Sequence, residues 1–213
     1  WLRLHFSHLV IPFIPTGVDL RKFTIKGKKA GMTLPRPIFL TVSALVPQKE
    51  VDLTIKAVGK LKIGSLLVIG DGPLKSELVE LALTHLGKKR FLFKSVKHHD
   101  LPKFYRGADV FAFSAPWELG WGIVHLEALA CGLPVVANKE ENIKLLMGTD
   151  ELLCDVRNIE QYSLCLEKAT KVQRGLVWRS KVSSYSWEKI AQQYKNVILN
   201  ILSKQEVLGG FNY

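Results

Sequence analysis

The sequence predicts a Rossmann-like, doubly wound parallel α/β domain. Three observations carry that expectation: short continuous apolar runs, segments of helical period between them, and Gly, Pro and Asp at the joints. Continuous apolar strands indicate a sheet covered on both faces, and right-handed crossovers then place helices on both sides.

Taken in order, Ser7–Lys22 holds a strand-like LVIPFI run and then a Pro-Thr-Gly-Val-Asp turn. Ile38–Ser43 (IFLTVS) reads as the first sheet strand, and Glu50–Leu61 as a helix with Val51, Ile55 and Val58 on one face. Ser65–Gly70 (SLLVIG) is the second strand; Asp71-Gly72-Pro73 turns the chain into a helix ending near Leu86. Arg90–Phe93 is a short third strand and Asp100–Arg106 a short helix. Asp109–Ser114 (DVFAFS) is the fourth strand, followed by a helix over Gly122–Cys131 that Gly132 and Pro134 stop. Val135–Ala137 and Glu151–Cys154 complete six strands. A last helix, Ser186–Leu202, sets Trp187, Ile190, Ala191, Tyr194, Val197, Ile198 and Ile201 in an apolar stripe that needs a partner surface.

Composition excludes several classes. With 47% hydrophobic and 23% charged residues, the 213-residue chain is neither disordered nor collagen-like. Its apolar runs fall short of the roughly 18–20 residues that cross a bilayer. Lys plus Arg number 30 against 19 Asp plus Glu, a formal net charge of +11. The excess is concentrated: residues 1–40 carry seven Lys/Arg against Asp19 alone, and residues 171–195 carry six against Glu188. Such patches attract phosphates or simply form solvated faces. Cys131, Cys154 and Cys165 are widely spaced with no C-x-x-C, which favours a reducing cytosol over a disulfide or zinc framework. The chain begins at Trp1, and Trp1–Phe13 is neither a signal peptide nor a domain start, so it reads as part of something longer.

In an open parallel sheet, ligands sit beyond the carboxyl ends of the strands. After the first strand, Lys49 stands at a helix edge where a cation, free amides and the helix dipole suit a phosphate. After the second, Gly70-Asp71-Gly72 allows a tight turn and close backbone approach. It is not a dinucleotide fingerprint, because position 75 is Lys75, and there is no P-loop. The most informative stretch is Ser114–Pro134, where Gly120, Trp121 and Gly122 precede a helix start and Glu118 lies just before them. Glu127 falls inside the apolar helix IVHLEALA, where a carboxylate is costly unless paired. It either accepts hydrogen bonds from sugar hydroxyls or, more plainly, pairs with a neighbouring Lys or backbone N–H. His98, His99 and His125 lack metal-ligand spacing and read as surface or satisfied core residues.

These segments, in this order, resemble the C-terminal, donor-binding half of a GT-B glycosyltransferase of the retaining group 1 (family 4) type. IPTGVDLRKF is similar to that family's inter-domain segment, SALVPQKEVDLTIKAV and LLVIGDGPLKSELVELA to its first two strand-to-helix elements. DLPKFYRGADVFAFSAPWELGWGIVHLEALACGLPVVA is similar to its two-glutamate signature, and YSWEKIAQQY to its closing helix. The resemblance implies transfer from a nucleotide-diphosphate sugar with retention of anomeric configuration. Lys49 would meet the diphosphate, Glu127 the ribose hydroxyls and Glu118 the transferred sugar. Gly70, Asp71, Gly72 and Val96 would flank the nucleotide, with Gly120, Trp121, Gly122, Ile123 and Val124 around the phosphates. No metal or other cofactor is expected, since cationic side chains and helix termini offset the charge. Residues 1–37 would be the inter-domain connection with its incoming strand, 38–180 the nucleotide-sugar-binding domain, and 181–213 a helix packing toward an N-terminal, acceptor-binding domain absent from this chain. The expected setting is cytoplasmic, with peripheral attachment at the cytoplasmic face of a membrane also compatible with the basic charge.

The chain departs from the family pattern. Ala44 replaces an Arg, Glu50 a Gly after the phosphate lysine, and Lys94 a Gly after the third strand. Eight residues rather than seven separate Glu118 from Glu127, and Lys139-Glu140-Glu141-Asn142-Ile143-Lys144 stands where a Gly-rich loop follows the fifth strand. These departures motivate an alternative, a degenerate domain without donor binding that acts as scaffold or regulatory partner. A nucleic-acid-binding role lacks an aromatic-rich basic platform, and no nucleic-acid partner is expected.

Overall fold

A computed structural model of the chain describes residues 13–115 and 122–208, with side chains described through residue 202. Six parallel strands form one sheet: β1 (Ile38–Val42), β2 (Ser65–Ile69), β3 (Phe91–Lys94), β4 (Val110–Ala112), β5 (Val135–Asn138) and β6 (Leu153–Cys154). Their spatial order is β3-β2-β1-β4-β5-β6. The chain therefore reverses its direction of travel between β1 and β4, which puts the topological switch point there.

The helices are α1 (Val51–Lys60), α2 (Lys75–Leu86), α3 (Leu101–Gly107), α4 (Ile123–Ala130), α5 (Glu141–Met147), α6 (Ile159–Thr170), α7 (Leu176–Ser180) and α8 (Trp187–Leu208). All five residues of β1 and of β2 are buried, as a sheet covered on both faces requires. Val51, Ile55 and Val58 of α1 face that core, so the three-residue face read from the sequence is the one buried. On the same helix Thr54 meets Tyr162 of α6 at 3.1 Å, a buried hydroxyl pair that fixes α6 against α1. Helices α5, α6 and α7 are additions to the sequence reading. Asn158 caps α6 by accepting from the Gln161 amide.

The amino-terminal edge of the sheet is pinned by a charge. Asp109, just before β4, accepts from the backbone N–H of Ile38 at 2.7 Å and from the Arg36 guanidinium at 2.6 Å. This locks the start of β1 to the start of β4 and so fixes which residues reach the opposite, carboxyl edge.

Residues 13–37 wrap the domain without a sheet strand of their own; the LVIP part of the LVIPFI run lies outside the described residues. Val18 donates its N–H to the Tyr185 carbonyl at 2.8 Å and bridges in parallel to Ser186. Arg179 donates to the carbonyls of Leu20, Phe23 and Ala130 at 2.7–2.8 Å, tying this segment to α4 and α7. Gly17 is required there, since a Cβ would stand 2.8 Å from the Trp187 ring. On α8, Ile190 is buried, whereas Trp187, Tyr194, Ile198, Leu199, Ile201 and Leu202 are about half exposed.

Candidate active site

The carboxyl ends of the strands open into a cleft of about 360 Å³ beside the switch point. Its walls come from the end of β1 and its loop (Val42, Ser43, Ala44), from β2 and its turn (Ile69, Gly70, Asp71), from Ser95, Val96 and His98 after β3, and from Val124 in the first turn of α4. Four of the sequence-selected residues, Gly70, Asp71, Val96 and Val124, thus line one cavity. Gly122 and Ile123 adjoin it as the N-cap and first residue of α4. First-turn amides have no partner within their helix and point along its axis, which favours an anion.

The β2 turn is built by close approach. A Cβ at Gly70 would collide with the Ser43 carbonyl oxygen, and one at Gly72 would stand 2.5 Å from that of Leu45. Leu45 donates to the Asp71 carbonyl at 2.9 Å, and Leu74 donates to Leu45 at 3.1 Å. The glycines therefore serve first to zip the two strand-end loops together. Asp71 bonds Lys75 and the Gly72 amide, which hold its carboxyl below the usual range.

Lys49 closes the 3₁₀ turn Pro47–Lys49 rather than opening α1. Its carbonyl accepts from Ser114 Oγ at 3.0 Å, joining the β1 loop to the end of β4 across the switch point. The ammonium lies 5.7 Å from the centre of the Phe113 ring, a cation–π distance that keeps it at the head of β4. Behind that ring, His125 stacks edge-on at 4.6 Å and is buried, with Nδ1 3.3 Å from the Gly122 carbonyl oxygen. Glu118, Gly120 and Trp121 lie outside the described residues.

Glu127 is 1% exposed. Among the described residues, its side-chain hydrogen-bond partners are neither a lysine nor a backbone amide. His98 Nε2 lies 2.8 Å from Oε1, and the Tyr105 hydroxyl donates to Oε2 at 2.9 Å. Burial raises the carboxyl above its ordinary range, and the hydrogen bonds from His98 and Tyr105 pull it back down. Tyr105 is itself fully buried, and burial next to that carboxylate drives its hydroxyl well above the usual range, so it remains a donor. Glu127 thus sits behind His98, which faces the cleft. Neither His98 nor Tyr105 stood out in the sequence; the only signal was that a carboxylate in an apolar helix must find donors.

Ala44 is exposed on the cleft wall. Lys94 ends β3 with its ammonium 5.7 Å from the Phe104 ring centre. The segment after β5 is mostly helical: Glu140 stands at the N-cap position of α5 without a capping side-chain bond and accepts from the Asn138 side chain at 3.2 Å. Among the described residues, no group of three or more His, Cys, Asp or Glu is placed to hold a metal ion, and no helix is long and apolar enough to cross a membrane.

The family profile described as "Glycosyl transferases group 1" matches residues 23–176. A GDP-mannose-dependent monoacylated alpha-(1-6)-phosphatidylinositol monomannoside mannosyltransferase of Corynebacterium glutamicum is 29% identical, over 90% of this chain and 57% of its own length. A UDP-Gal:alpha-D-GlcNAc-diphosphoundecaprenol alpha-1,3-galactosyltransferase of Escherichia coli is 29% identical over 79% of this chain and 47% of its own. The chain therefore spans about half the length of these relatives. Among solved structures, sucrose-phosphate synthase of Thermosynechococcus elongatus superposes with a TM-score of 0.77 at 20% identity, covering 95% of this chain and 56% of that one. The C-terminal domain of a group 1 glycosyl transferase family protein from Francisella tularensis gives 0.60 at 20% identity, over 84% of this chain and 98% of that one. At such identities the superpositions speak to the fold, a GT-B half.

Proposed function

Since the chain belongs to the group 1 glycosyl transferases, we propose that it is the donor-binding half of a retaining hexosyltransferase. The observation that carries this reading is the switch-point cleft, lined by Gly70, Asp71, Val96, Val124 and His98, with His98 bonded to the buried carboxylate of Glu127. The nucleoside lies in the cleft and its ribose hydroxyls donate to Glu127. The diphosphate lies against Lys49 and the first amides of α4 at Gly122, Ile123 and Val124; Gly120 and Trp121 are also assigned to donor binding. Glu118 meets the transferred sugar.

Transfer proceeds on one face of the sugar. The anomeric carbon's bond to the diphosphate oxygen breaks, with its electron pair leaving on the diphosphate, while the acceptor oxygen bonds to that carbon. The acceptor's proton passes to the departing diphosphate. Lys49 and the helix amides offset the growing negative charge in place of a metal ion. The acceptor is held by a second, N-terminal domain, against which the exposed apolar face of α8 packs. A lipid-linked acceptor is supported by the relatives named for phosphatidylinositol monomannoside and diphosphoundecaprenol acceptors, and attachment at the cytoplasmic face of a membrane by the basic charge of this chain.

Calorimetry of this chain with UDP, GDP and ADP, and with their sugar conjugates, tests donor binding; one of the series is expected to bind. Measurable binding to none of them sinks the reading and leaves the scaffold alternative. In the two-domain enzyme, Glu127→Ala is expected to abolish transfer, and product NMR to show the donor's anomeric configuration retained.

A further inference from the structure

Four side chains form a row from the surface into the core. Lys22 Nζ lies 2.9 Å from His98 Nδ1, His98 Nε2 lies 2.8 Å from Glu127 Oε1, and Tyr105 Oη lies 2.9 Å from Glu127 Oε2. The chemistry of the groups orders their protons. An ammonium only donates, so Nδ1 accepts from Lys22. The imidazole then carries its hydrogen on Nε2 and donates it to the carboxylate, while the Tyr105 hydroxyl donates to the other oxygen. The two donors address different oxygens of Glu127 and specify where its remaining lone pairs point.

The ring is also fixed in plane. Phe23 lies against it, with centroids 5.6 Å apart, and Phe23 is buried edge-on to Tyr105 at 5.9 Å. His98 lines the cleft, yet with Nδ1 and Nε2 both engaged it has no polar hydrogen left to offer a ligand. Its hydrogen-bonding effect on anything bound there passes through Glu127.

We propose that His98 is a positioning residue for ribose recognition. It holds Glu127 ionised and oriented, in the one tautomer that Lys22 enforces, so that the carboxylate can accept from a ribose hydroxyl. This rests on the reading of Glu127 as the ribose contact, and it adds a residue that neither composition nor motif marks.

The test is ribose discrimination: the ratio of dissociation constants for a 2′-deoxynucleoside diphosphate and its ribo counterpart, by calorimetry on this chain. UDP, GDP and ADP are screened, and the tightest binder is paired with its deoxy form. Wild type is expected to favour the ribo form about tenfold, the scale of one charge-assisted hydrogen bond. His98→Leu is expected to bring the ratio to within about twofold. His98→Gln, whose amide nitrogen can stand where Nε2 stands, is expected to restore most of the ratio. The His98 side chain is 60% exposed, so these substitutions leave the core intact. A merely structural role would weaken both forms alike and preserve the ratio, which would overturn the proposal, as would a failure of Gln to outperform Leu. No binding of any diphosphate to wild type overturns the donor reading and this inference together. Binding without ribose preference in wild type overturns the Glu127 assignment, and preference that survives His98→Leu overturns the role of His98 alone.

Discussion

Arg157 reaches across from the turn before α6 to grip Glu50, Nη2 lying 2.6 Å from Oε1, and Glu50 holds a left-handed backbone at φ 44°, ψ 41°. A non-glycine residue in this region costs about 1–2 kcal/mol, whereas an ion pair this open to solvent returns little. The pair therefore only partly offsets the strain.

Substituting that position separates the two contributions. Glu50→Gly and Glu50→Ala both lose the ion pair, but only glycine relieves the backbone. Urea denaturation is expected to find the Gly variant more stable than the Ala variant by about 1–2 kcal/mol. Equal stabilities would show that the backbone there carries no strain.

Ala44 stands exposed on the cleft wall. An arginine there places a guanidinium beside the proposed diphosphate path. Ala44→Arg is expected to tighten nucleoside-diphosphate binding by roughly tenfold at low salt, as one partly solvated charge-assisted contact would. The gain should shrink as ionic strength rises, and a nucleoside without phosphates should bind unchanged. An equal gain for the nucleoside would locate the effect elsewhere.

Burial raises the Glu127 carboxyl above its ordinary 4.5. A folded-state value above the unfolded one means the stability from this group is fully present below about pH 4.5 and is lost as pH climbs through the raised value. Tyr105→Phe removes a hydrogen bond that lowers it, so the midpoint of the Glu127 side-chain carbon resonance should move higher still. A midpoint unmoved or lowered by Tyr105→Phe would contradict the hydrogen bond.

On α8, Ile190 is 1% exposed and Ile198 55%. Ile190→Ala is expected to cost about 2–5 kcal/mol in urea denaturation, and Ile198→Ala less than about 0.5 kcal/mol. Similar losses at both positions would mean that the outer face is already covered within this chain.

How far the sequence discloses this arrangement depends on where each signal resides. β1 and β2 are legible because strands buried on both faces must be apolar throughout, as IFLTV and SLLVI are. Helix α6 carries a readable pattern in Tyr162, Cys165, Leu166 and Ala169, with Asn158 as cap, but its many polar residues resemble a connection. Helix α5 is seven residues long, too short for periodicity to declare itself, and it falls where a loop motif is expected. In the site, the need of Glu127 for partners is local and legible. The identity of those partners is not, because His98 comes from a loop 29 residues away and Tyr105 from a different helix.

The bridge from Val18 to Tyr185, clamped by Arg179, has a mechanical consequence. The two lengths of backbone that meet there are loaded in parallel, so a torque on either is shared by both. Neither can rotate without drawing a single guanidinium off the carbonyls of Leu20, Phe23 and Ala130. Since Ala130 ends α4 and Glu127 lies one turn before it, a twist applied at this pivot is delivered directly to the helix that carries the buried carboxylate.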